Sequence, residues 1–186
     1  LPATPPDDLA RLEAEMLAGP LFRSWLARLS FYTGLNEVHG GQTDSYETVM
    51  GKLTQFGCRA GMAAFDERTA PYRRWLACEM EQPAADIMRA FLRIDVGTFL
   101  AVAGYGDRPP VAAYLSRRLE TLYRLACRGD YDLYDSAATD RYIPAGFRGR
   151  PVLRPELFAG SEWHLPLIHD VHALAHHPRL YDNGPT

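Results

Sequence analysis

Residues 83–104, PAADIMRAFLRIDVGTFLAVAG, are apolar almost all the way round when wound as a helix. A helix of that kind has no wet face, so other elements must enclose it on every side. This segment therefore predicts a buried central helix and, with it, a fold built around one. Drawn at about 100° per residue, Arg89 and Arg93 share one edge, with Gly97 and Gly104 near them. Asp95 falls on the opposite side, among Met88, Phe91, Phe99 and Val102. A carboxylate in that place is costly unless it is paired or hydrogen-bonded. Asp95 is expected either to pair with an arginine of a neighbouring helix or to line a cavity, where burial would raise its pKa toward the range of a general acid or base.

The enclosing elements also read as helices. Strand signals are nearly absent, and no Asn-Gly or Asp-Gly joins two alternating runs. PPDDLARLEAEMLAG opens on prolines and acids and closes on Gly19, and PLFRSWLARLSFY runs from Pro20 and ends by Gly34. DSYETVMGKLTQFG is capped by Thr43 or Asp44 and gathers Tyr46, Val49, Met50, Leu53 and Phe56 on one side. PYRRWLACEM starts at Pro71 and stops before Pro83, and PPVAAYLSRRLETLYRLAC aligns Leu115, Leu119, Leu122 and Ala126. Residues 128–155, rich in glycine, proline and aromatic rings, read as a long aromatic loop over one end of the body. A last helix starts near Pro166, stops at Pro178, and leaves RLYDNGPT as a tail. With 186 residues and 47% hydrophobic content, one core suffices, so residues 1–186 read as a single helical domain.

Helices with polar outer faces alternate with more apolar ones that end in small residues, as stacked α-hairpins require. FLAVAGYGDRPPVAAYLSRRL and LPLIHDVHALAHHPRLYDN resemble the inner-helix, glycine-turn, outer-helix repeats of the terpenoid cyclase and prenyltransferase-like α/α toroids. The resemblance covers about a third of the chain. It implies helical hairpins around an apolar or aromatic cavity. The Asp-x-Asp-Asp motif of the protonating cyclases is absent, so cyclase activity does not follow. The expected fold is all-α, with alternating inner and outer helical hairpins as a partial toroid or a compact bundle.

Five of the six histidines fall in HLPLIHDVHALAHH, residues 164–177. As a helix, this stretch puts Leu167, Ile168, Val171, Leu174 and Ala175 on one face, with His169, His172 and His176 as a stripe beside it. The outer two of that stripe are two turns, roughly 10 Å, apart. They cannot all reach one ion, so a metal held by His172 and His176 needs a further ligand such as Glu162, His164 or His39. Solvated histidines, with His176 and His177 stabilising the helix C-terminus, account for the cluster more simply than a metal does. FYTGLNEVHGGQTDSYETVM offers Glu37 and His39 among other polar groups around Gly40-Gly41, where glycine lets a ligand approach the backbone. No phosphate-loop, dinucleotide or nucleophile-elbow pattern occurs.

Twenty basic against 23 acidic residues give a net charge of -3, which argues against nucleic-acid binding. Three widely spaced cysteines give neither a disulfide framework nor a zinc knuckle. No apolar run reaches the roughly 18 residues of a membrane span, so a cytoplasmic location without membrane association is expected. The leading functional expectation is a small enzyme of specialised metabolism acting on a small apolar or aromatic substrate. Asp95, His169 and His172 are its proton-transfer groups; Glu37, His39, Tyr131, Tyr134 and Trp163 contact substrate. One alternative is a haem- or divalent-metal-dependent oxygenase using His172 and His176. Another is a non-catalytic helical interaction module. Homo-oligomerisation is compatible with all three.

Overall fold

The computed structural model describes residues 6–135, 151–154, 156–157 and 162–182. Helix α1 (Pro6–Ala18) and α2 (Pro20–Arg28) follow their proline starts, with Gly19 between them. The short α3 (Leu35–Val38) leads into the Gly40-Gly41 turn. Helix α4 (Tyr46–Gln55) buries Tyr46, Val49, Met50 and Leu53, as the spacing predicts. Its cap is Ser45, and neither Thr43 nor Asp44: the Ser45 hydroxyl accepts from Thr48 N at 3.4 Å. The start is fixed by Tyr46, whose buried hydroxyl donates to Val96 O at 3.1 Å.

Helix α5 (Ala63–Met80) begins well before Pro71, which lies inside it. Proline there forfeits one intrahelical bond, at about 3 kcal/mol. Phe65, Thr69, Tyr72 and Leu76, spaced by four, three and four residues, are buried on one face. Burying each large apolar side chain is worth about 1.5–3 kcal/mol, so the packed face outweighs the broken bond.

Helix α6 (Ile87–Leu100) is the expected central helix. Asp86 caps it by accepting from Arg89 N at 2.8 Å, and every residue from Leu92 to Ala101 is buried. Helices α3, α4 and α5 pack on it from the N-terminal side of the sequence. It passes into a wider π-helical turn, Ala101–Tyr105, where Gly104 adopts φ +88°. Helix α7 (Pro109–Arg128) returns along it and ends at Gly129, whose φ of +66° makes the left-handed cap. The buried face of α7 is Val111, Tyr114, Leu115, Arg118 and Leu125, so the stripe is rotated from the one expected and Ala126 is exposed.

Within the segment read as a long loop, Tyr134–Asp135 and Val152–Leu153 pair as an antiparallel two-residue ribbon; residues 136–150 lie outside the described ones. Helix α8 (Ile168–Ala175) packs on α6 and α7. The expected tail contains a further turn, α9 (Arg179–Asp182). The fold is thus all-α apart from this ribbon, a helical bundle around α6. Among the described residues no helix is long and apolar enough to cross a membrane.

Helix α8 is turned relative to the expected amphipathic face. Ile168 is 76% exposed and Val171 63%, whereas Asp170, Ala173 and Leu174 are buried. The physical reason is an ion pair: Arg118 of α7 holds Asp170 at 2.7 Å, both side chains almost wholly out of water. That pairing draws the acid face of α8 inward and brings His169 toward α6.

Candidate functional site

Three elements around α6 deliver polar side chains to one place. His39 follows α3, its amide bonded to Leu35 O at 2.8 Å. The next residue's carbonyl, Gly40 O, accepts from Ser45 Oγ at 2.8 Å and Thr48 Oγ1 at 3.3 Å, which fixes the loop against the start of α4. Glu47 is the second residue of α4, and His169 the second of α8. From α6, Phe91 and Asp95 lie one turn apart on the same face.

The geometry is close. His39 Nδ1 is 2.8 Å from Glu47 Oε2 and 3.2 Å from Asp95 Oδ2. The Asp95 contact is off the line a hydrogen bond needs, and among the described residues neither Asp95 oxygen has a hydrogen-bond partner although the residue is fully buried. Burial first, and the nearby Glu47 charge second, push the Asp95 carboxyl up to about 8. The His39 and His169 ring centroids are 6.1 Å apart. Phe91 stands edge-on to both, 4.8 Å from His39 and 5.4 Å from His169, the three rings forming a triangle. Trp163 backs Phe91 at 5.8 Å and is anchored by its Nε1 donating to Ile87 O at 2.9 Å. Burial lowers the His169 pKa, partly opposed by the Glu47 charge.

His39 and Glu47 of this cluster also line a groove of about 540 Å³, together with Thr48, Lys52, Phe99 and His172. His172 stands against Phe99 at 5.7 Å, and burial lowers its pKa as well.

The sequence-derived residues divide on this geometry. Asp95, His39 and His169 come together, with His172 at the groove and Trp163 behind Phe91. Glu37 does not join them: it lines a separate groove of about 340 Å³ with Tyr32, Asn36 and Asp44, because two residues along a helix turn point away from each other. Tyr131 and Tyr134 are exposed beyond the C-terminal end of α7, Tyr134 within the ribbon. His172 and His176 meet edge to face with ring centroids 5.8 Å apart, but among the described residues no third His, Cys, Asp or Glu donor gathers with them. His39, a suggested third ligand for that pair, gathers instead with Glu47 and His169, whose donor atoms all lie within 4.8 Å of one another.

The arginine partner expected for Asp95 is not supplied by the buried arginines, which have other partners. Arg118 takes Asp170, while Arg89 and Arg93 both pair with Glu79 of α5. Among the described residues, the ion-pair partner of Asp95 is His39 and not an arginine. Glu47 is the residue that sequence reading missed. An acid in the first turn of a helix satisfies the helix dipole and raises no other signal.

No family model, curated protein or solved structure matches the chain. Chemistry must be read from the arrangement alone. A single imidazole N–H serves only one acceptor at a time, yet here it faces two carboxylates. The set holds more acceptors than the described residues supply donors for.

Proposed function

We propose that the protein is an enzyme that performs polar chemistry on a small ligand in the groove beside His39, with Asp95, Glu47, His39 and His169 as the groups that meet the reacting atoms. One observation carries the reading: four ionisable side chains from four separate elements gather at one place, two of them, His39 and Glu47, lining the groove, and one, Asp95, a fully buried carboxylate without a hydrogen-bond partner among the described residues. Folding leaves such a group unsatisfied at a cost of several kcal/mol, and groups of this kind concentrate where function requires them. Phe91, Phe99, Trp163 and His172 give the surroundings aromatic faces, which favours a planar or apolar ligand body.

The test is a fragment screen of the metal-free protein, read by proton NMR on the six imidazole Cε1 resonances. Fragments with an aromatic ring and a polar group should shift His39 and His169 and leave His177 unmoved, since its ring packs against Ala101 O at 3.1 Å. A substrate elaborated from such hits should still bind Asp95→Asn while its turnover falls by orders of magnitude. Hits that gather elsewhere on the molecule, or none at all, would return the protein to the class of helical interaction modules.

A further inference from the structure

We infer that His39, Glu47 and His169, with Asp95 behind them, form a site for one divalent transition-metal ion of the zinc or iron(II) type. The inference deepens the groove enzyme proposed above and rests on it.

The donor set argues first. Two imidazoles with carboxylates suit zinc, iron and their first-row neighbours, whereas magnesium and calcium take oxygen ligands almost exclusively. The spacing argues next. Ligands about 2.1 Å from a common ion stand about 3.0 Å apart when cis in an octahedron and about 3.4 Å apart in a tetrahedron. His39 Nδ1 already stands 2.8 Å from Glu47 Oε2 and 3.2 Å from Asp95 Oδ2. A donor nitrogen of His169 lies within 4.8 Å of the donor atoms of His39 and Glu47. The partly exposed His39 and Glu47 side chains can close that remaining gap by small torsions.

Asp95 gives the second, independent observation. It is 0% exposed, and both its oxygens lack a hydrogen-bond partner among the described residues. The buried arginines that might have neutralised it are engaged elsewhere, Arg118 by Asp170 and Arg93 by Glu79. A cation seated between His39 and Glu47 would supply the missing positive charge. Asp95 would then serve as a fourth ligand or hold the liganding imidazole in orientation, as carboxylates do around metal-bound histidines. The groove leaves one side open, the arrangement of a catalytic ion with a free position for water or substrate and not of a closed structural one.

The test is calorimetric titration of chelator-treated full-length protein with ZnCl2 and CoCl2, paired with the visible spectrum and imidazole proton NMR of the Co2+ form. One equivalent should bind, with d–d absorption and paramagnetic shifts on His39 and His169. His39→Ala, Glu47→Gln and His169→Ala should each weaken binding by more than the roughly 10- to 100-fold that outer-sphere changes cost, and Asp95→Asn by about that range. His172→Ala and His176→Ala should bind as the parent does. Circular dichroism checks each fold, and the accessible His39 and Glu47 variants decide the matter even if Asp95→Asn does not fold. Absence of saturable binding, binding that survives His39→Ala and His169→Ala, or binding lost only in His172→Ala overturns the inference. Fragments that shift His39 and His169 in a protein that takes up no Co2+ end the metal inference alone. Stoichiometric Co2+ binding without any ligand in the groove ends the enzyme reading and keeps the metal site.

Discussion

Arg118 and Asp170 meet through two parallel hydrogen bonds, Nε to Oδ1 at 2.7 Å and Nη2 to Oδ2 at 2.8 Å, with both side chains almost fully removed from water. The same guanidinium donates to the carbonyls of Trp163 and Leu165, and the same carboxylate accepts from Leu167 N at 2.8 Å. The pair therefore sets the start of α8, and with it the position of His169. Breaking a buried pair from one side strands the other charge, at about 3–5 kcal/mol. Asp170→Asn and Arg118→Met should each lose that much in urea denaturation, and the double variant should lose clearly less than the sum. A loss below about 1 kcal/mol for either single change would mean that the pair is solvated.

Gly97 leaves room for a neighbouring ring. A Cβ at this position would lie 2.6 Å from the ring of Tyr114, whose hydroxyl is held at 2.8 Å by Thr98 Oγ1 and so cannot swing away freely. Gly97→Ala should lower stability by about 1–3 kcal/mol despite the better helix propensity of alanine. In a Tyr114→Ala background the same change should be close to neutral or favourable. Equal cost in both backgrounds would show that the ring is not the obstacle.

The thiols should separate by reactivity. Cys78 and Cys127 are exposed, whereas Cys58 is buried and burial pushes its thiol up to about 11. A raised thiol pKa favours the neutral form, so at pH 8 only about one Cys58 in a thousand carries the reactive thiolate. Two of the three thiols should react rapidly with a disulfide reagent in the native state, and the third only in denaturant or as pH climbs toward 11. Three fast thiols in native protein at pH 8 would refute the burial of Cys58.

The turn of α8 can be checked from both sides. Val171→Ser and Ile168→Ser lie in solvent and should change stability by no more than about 0.5 kcal/mol. Ala173→Leu, which forces four heavy atoms where one methyl is buried, should cost about 1–3 kcal/mol. The opposite order would restore the apolar face that hydrophobicity alone suggests.

That contrast marks where the sequence was informative. The all-round apolar pattern of α6 identified the central helix, and a carboxylate inside such a helix singled out Asp95, because both signals are local. The orientation of α8 was not legible, since it depends on an arginine 52 residues away; hydrophobic periodicity cannot weigh one buried ion pair against two valine- or isoleucine-sized side chains. His39 stood out by its glycine neighbours. Glu47 was hidden by its ordinary place in a first turn, and only the packing of α4 against α6 makes it part of the site. Likewise Pro71 gave a false start for α5, because the tertiary contacts that override one lost bond are invisible in the segment itself.

The π-helical turn at the end of α6 has a consequence for how the chain comes together. Ala103 O accepts from Ala60 N at 2.8 Å, and Ala101 O lies 3.1 Å from His177 Nε2. Nearest-neighbour preferences would simply continue the α-helix through these residues; the wider turn offers its carbonyls to chain segments about 40 and 76 residues away. Its bonds thus close large loops, and loops of that size form slowly. The turn acts as the clasp of the fold, tying the link between α4 and α5 and the end of α8 to α6, so the Ala60 amide should exchange with solvent no faster than the whole molecule opens.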